Sequence, residues 1–246
     1  QSAPGAALEA LRAADVQLAA IGFRLSVAAA PLCDRLEPGT GIQFHTLAQY
    51  PPSSREQVRA HFELAGPLGV EGVAPDSPAA RAGVKANDTI LSINGIPVST
   101  ALPTAATTDA LTALHAQIAA LPPTTPISLT VIRDGRQFQL QIEPVSACFS
   151  RYELRIADNF DARANGELVQ ITSKYLEAVD PHLLPAVIAH ELSHNILRHR
   201  ERLTAAGAAF GLASGFGRNV ALFRQTEIEA DILAVHLLAV VMIGEH

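Results

Sequence analysis

His190-Glu191-Leu192-Ser193-His194 sets two imidazoles four positions apart, with a carboxylate directly after the first. On an α-helix, residues four apart differ by about 40° of rotation, so both rings project from one face. Two neutral imidazole nitrogens at that spacing can grip one zinc ion. Glu191 lies about 100° round from His190. It can lean over a water activated by such an ion without being a ligand, as a general base must. The run before the histidines, PAVIA at 185–189, is apolar, which places them on a mostly buried helix. Buried histidines need partners. The competing reading is a surface helix with two unrelated histidines, and the apolar run weighs against it.

A zinc site needs a third protein ligand. His199 follows His190 by nine residues. On a continuous helix that is about 180° away, so His199 reads as structural or solvent-facing. The run Glu227-Ile228-Glu229-Ala230-Asp231 supplies carboxylates from a second helix, and two histidines plus a Glu is an established zinc set. Glu227 and Asp231 share a helical face. Glu229 points elsewhere, about 200° from Glu227. A solvated acidic first turn, favoured by the helix dipole, is the plain alternative. His236 lies on the side opposite Glu227 and is given no role.

These helices need a body to hold them. The chain has 246 residues, 48% of them apolar, which supports one or two buried cores. Its net charge is −6, with no Trp and 5% aromatics, so it lacks both a basic footprint for phosphates and a stacking surface for bases. Nucleic acid is therefore excluded as a partner. The opening QSAPGAALEA shows no signal peptide. The longest uncharged apolar stretch, 203–217, is too short for a bilayer span of about 20 residues. A soluble protein is expected, with contact at a membrane surface kept as the alternative.

Leu8, Leu11, Leu18 and Ile21 fall near one helical face, which predicts an amphipathic helix at the N-terminus. SPAARAG at 77–83 predicts a short helix capped by Ser77 and stopped by Gly83. Asn94-Gly95 and Asp134-Gly135 predict hairpin turns, and Leu111 to Leu121 a helix. A strand is expected at 167–173. A helix then runs from near Asp180 or Leu184 through HELSHNILRHRER, and a last helix begins at TEIEADI.

GVEGVAPDSPAARAGVKANDTILSINGIPV resembles the core of a bacterial PDZ domain, spanning about 56–145. PDZ domains bind extended peptide ends by strand addition beside a helix. The resemblance implies a C-terminal peptide ligand, with the 109–120 helix as groove wall. No carboxylate-binding loop stands out before the strand at 68–74, so no residues are assigned, and His115 on that helix reads as packing or solvent-facing.

HELSHNILRH followed by TEIEADILA resembles the HtpX and CAAX-prenyl-protease family of gluzincin zinc metallopeptidases, in its envelope form with an inserted PDZ domain. The fold implied is α+β: a mostly helical peptidase core with a β-barrel-like PDZ insertion. Its parts are 1–55, an N-terminal helical piece of the peptidase; 56–145, the PDZ domain; and 146–246, the metallopeptidase core. The activity implied is zinc-dependent endopeptidase hydrolysis of protein or peptide substrates. By resemblance His190, His194 and Glu227 bind zinc, Glu191 is the general base, and Asp231 holds one histidine ring. Strand 167–172 would line the cleft and pair with substrate. Asp161 stands where the family has Asn, so no role is carried to it. The oxyanion-stabilising residue stays unassigned. Cys33 and Cys148 flank the insertion, and a disulfide between them would pin its entry and exit. That bond requires an oxidising compartment, so the location implied is the periplasm or cell envelope, or the exterior. The rival readings are an inactive PDZ adaptor and a structural zinc protein.

Overall fold

The computed structural model describes residues 3–208, 210 and 218–244. Much of the stretch 203–217 therefore lies outside the described residues. The chain divides into two compact units, Gln1–Ala20 with Leu36–Ser146, and Ile21–Arg35 with Ala147–His246. Helix α1, Ala3–Ala29, contributes its first part to one and its second part to the other.

The first unit contains β1 (Leu36–Gly39), β2 (Ile42–Thr46), α2 (Arg55–His61), β3 (Leu68–Val73), α3 (Pro78–Arg81), β4 (Thr89–Ile93), β5 (Ile96–Pro97), α4 (Asp109–Ala119), β6 (Ile127–Arg133) and β7 (Arg136–Ile142). Its sheet runs β2-β3-β4-β6-β7, with β5 paired to β4. Local chemistry sets the corners. Ser77 caps α3, its hydroxyl accepting from the Ala80 N–H at 3.2 Å. Asn94-Gly95 and Asp134-Gly135 all take positive φ, as two-residue hairpin turns demand. Phe44, Val70, Ile90, Leu114, Ile118, Leu129, Val131 and Ile142 close the core between sheet and α4. Asp88 is fully buried and is matched there by Arg133, which donates from Nε and Nη2 at 2.6 Å each.

This unit begins earlier than expected. The stretch 36–55 groups with 56–146, because β2 pairs antiparallel with β3 from Ile42↔Val73 to Thr46↔Leu68. β2 reads poorly as a strand because Pro38, Gly39 and Gly41 crowd its approach. Its place at the sheet's edge is a matter of tertiary pairing.

The second unit takes the later part of α1, then β9 (Arg151–Arg155), β10 (Ala162–Ala164), β11 (Leu168–Thr172), α5 (Ser173–Ala178), α6 (Leu184–Ile196), α7 (His199–Ala205) and α8 (Arg218–Gly244). Strand β8 (Val145–Cys148) carries the chain into it. Cys33 and Cys148 form a disulfide, with Cα atoms 5.7 Å apart. The small sheet runs β10-β11-β9, with β11 antiparallel to β10 and parallel to β9. Gly22 lets α1 lie against Tyr152, since a Cβ there would stand 2.5 Å from the ring. The Tyr152 hydroxyl meets Ser26 Oγ at 2.6 Å.

Two helix boundaries differ from expectation. α6 ends at Ile196 rather than running through His199. Arg198 adopts the left-handed conformation, φ 54° and ψ 38°, and a new helix starts at His199. α8 begins at Arg218, eight residues before the TEIEADI run. By length and composition, the helical stretch Gly5–Leu32 could cross a membrane. Leu18, Ile21, Leu25 and Ala29 on it are buried, which is also the mark of a core helix.

Candidate metal centre

α6 carries His190 and His194 one turn apart, as the spacing requires. Its apolar side is fixed by Leu184, Ile188, Ala189 and Leu192, all buried. Asn195 ties the helix to the small sheet. Its carbonyl oxygen accepts from the Gly166 N–H at 2.7 Å, and its amide donates to Ser150 Oγ at 3.0 Å. α8 packs along α6, and Ala230, Ala234 and Leu237 are buried apolar residues of α8.

That packing brings Glu227 to the histidine pair. The ligand atoms of His190, His194 and Glu227 all lie within 4.8 Å of one another. The two Nε2 atoms are 3.1 Å apart. Glu227 Oε2 is 3.3 Å from His190 Nε2, and its Oε1 is 3.7 Å from His194 Nε2. Donors about 2.0–2.1 Å from one tetrahedral zinc stand roughly 3.3–3.4 Å apart, so the three atoms fit such an ion. Asp231 meets the other nitrogen of His190, Nδ1, at 2.8 Å. It therefore sits on the far side of the ring from the cluster.

Glu191 is partly buried beside these groups. Burial pushes its carboxyl up to about 7; His190 opposes the rise, while Glu227 and Asp161 add to it. Burial, with His190 and His199 nearby, lowers His194 to about 4, so its ring is neutral at pH 7. A neutral ring is the form that ligates a metal.

Three features were not expected. His199 does not face away: its Nδ1 is 2.9 Å from His194 Nδ1. The helix arithmetic failed because α6 stops before it. Glu229 also has a task, meeting His199 Nε2 at 3.1 Å and Arg202 Nη1 at 2.6 Å. Strand β11 lies between β10 and β9, so both its edges are taken, and β10 and β9 are the edge strands of this sheet. Asp161, just ahead of β10, is bound by Arg155 at 3.3 Å and reaches Arg163 at 3.7 Å. Among sequence signals, only the repeated His after HELSH and the Glu229–Arg202 charge complement hinted at these contacts.

Residues 149–239 match the model of peptidase family M48, and residues 69–111 match a PDZ domain. These two matches support an M48-type metallopeptidase region joined to an inserted PDZ domain. The M48 match spans the small sheet, α6 and the Glu227 turn of α8. The PDZ part is similar to the periplasmic serine endoprotease DegP of Escherichia coli K12, 38% identical over 74 residues, covering 30% of this chain and 14% of that protein. DegP of Salmonella typhimurium matches equally, 38% over 74 residues with the same coverage. The chain thus spans about a seventh of the curated relatives it matches. A crystal structure of the HtrA3 PDZ domain bound to a phage-derived ligand is similar at 23% identity and a TM-score of 0.35, covering 46% of this chain and 90% of that one.

Proposed function

We propose that this chain is a zinc-dependent endopeptidase, with His190, His194 and Glu227 as the metal ligands. The observation that carries the reading is the convergence of three ligand atoms from α6 and α8 within 4.8 Å. Held by these three residues, zinc would supply Lewis-acid chemistry toward a scissile carbonyl and an attacking water. Glu191, whose carboxyl burial pushes up to about 7, would accept the proton of the attacking water and pass it to the leaving amine. β10, an edge strand of the small sheet, would offer backbone groups to an extended substrate. Asp231 engages Nδ1 of His190 and so is not placed as a fourth ligand, which weighs against a purely structural zinc.

The PDZ domain supplies a second contact. β2 is an edge strand of its sheet, and α4 packs beside it, with Phe44 and His115 edge to face at 5.8 Å. A peptide C-terminus adding to β2 is the ligand such an edge takes. The disulfide and the periplasmic relatives support an envelope or periplasmic location.

Metal analysis of protein purified without added metal tests the reading. One zinc per chain is expected, and Glu227→Ala should lose it. Glu191→Gln should keep zinc yet cleave casein about 10²–10⁴-fold more slowly. Equal, nonzero cleavage by Glu191→Gln and wild type rejects the mechanism. Zinc without any cleavage by the wild type favours a docking protein instead.

A further inference from the structure

We infer that His199 is a positioning residue for the metal site: it fixes the tautomer and ring angle of His194, and is itself anchored by Glu229 and Arg202. The inference rests on the zinc reading above. His194 turns Nε2 to the cluster, so its ring proton belongs on Nδ1. That N–H points at His199 Nδ1, 2.9 Å away, which must then accept. The proton of His199 is thereby placed on Nε2, 3.1 Å from Glu229 Oε2. An ionised carboxylate can only accept, so the direction of the whole chain is set from its far end. Glu229 is in turn held by Arg202, at 2.6 and 3.3 Å, and by Gln225 at 2.8 Å.

Each metal-facing imidazole therefore has its second nitrogen engaged, but by different means. His190 meets a carboxylate directly, whereas His194 reaches one through another imidazole. His199 is 1% exposed, so water is not free to replace it. The break at Arg198 is what turns His199 back onto His194, and it links α7 and α8 to a ligand carried by α6. Partners of this kind typically change metal affinity by 10–100-fold when removed.

The test is zinc affinity, read by competition with a chromophoric chelator, on His199→Leu and His199→Gln. Gln keeps one acceptor for His194 and one donor for Glu229; Leu keeps only volume. His199→Leu should bind zinc about 10–100-fold more weakly, and His199→Gln should recover most of that loss. Thermal melting of both variants without metal checks folding. If the Leu variant does not fold, Glu229→Ala, at a part-exposed position, should weaken zinc in the same direction. Equal losses in the Leu and Gln variants would reduce His199 to packing and overturn the inference. So would wild-type affinity in His199→Leu while Glu227→Ala loses its zinc. Wild-type affinity in Glu227→Ala overturns the metal site itself, and the inference with it.

Discussion

An imidazole binds a metal through one nitrogen, and what the other nitrogen touches decides how firmly the first is aimed. Asp231 does this for His190 from an exposed position, with 72% of its side chain open to solvent. Asp231→Ala should therefore leave the fold intact while lowering zinc affinity about 10–100-fold by chelator competition. Unchanged affinity would show that helix packing alone orients His190. Glu191 illustrates the opposite effect of burial. Its carboxyl is raised because the charged form is poorly solvated and two other carboxylates lie near. A divalent cation placed beside it favours the ionised form and brings it back toward a working base.

Among the elements, the stop between α6 and α7 matters most. Arg198 is a non-glycine residue in the left-handed region, which costs roughly 1–2 kcal/mol relative to a helical conformation. Arg198→Gly and Arg198→Val both remove the guanidinium, so their difference isolates the backbone. Val should be less stable than Gly by about 1–2 kcal/mol in urea unfolding. Equal stabilities would mean that the turn is not under strain. Strand β3 offers a pH-dependent case. Glu71 is buried, and burial pushes its carboxyl up to about 8, with Asp15 adding to the rise and Arg12 and Gln43 opposing it. The folded value lies above the unfolded one, so the group's contribution is fully present below about 4.5 and is lost as pH rises through about 8. Glu71→Gln mimics the protonated form. It should match the wild type at pH 4 and exceed it at pH 9, by an upper bound of about 5 kcal/mol. Melting curves at the two pH values check this, and a variant less stable at pH 9 would refute it.

At the scale of the whole molecule, the disulfide is the main covalent constraint. It closes a loop with a sequence separation of 115 around the inserted PDZ domain. The chain-entropy model gives about 4–5 kcal/mol for a loop that long, as an upper limit. Cys33→Ser with Cys148→Ser should lower unfolding stability by several kcal/mol, and reductant should do the same to the wild type but nothing to the variant. A wild type indifferent to reductant would show that the bond is not a stability element.

The PDZ turns, the Ser77 cap and the paired histidines were all legible in the sequence, because each depends on residues within about four positions. The carboxylate run at 227–231 was legible as chemistry, since three acids ahead of an apolar helix need a positive partner. What the sequence could not decide was where separate segments meet. β2 is a strand only because β3 lies beside it, and β11 is interior only because β9 and β10 flank it. His199 looked remote because a rotation of 100° per residue was carried through a helix that in fact ends at Ile196. Short-range patterns are set by backbone geometry, which local residues determine. Edges, breaks and the partner of a buried imidazole are set by packing against distant chain, which only the tertiary structure supplies.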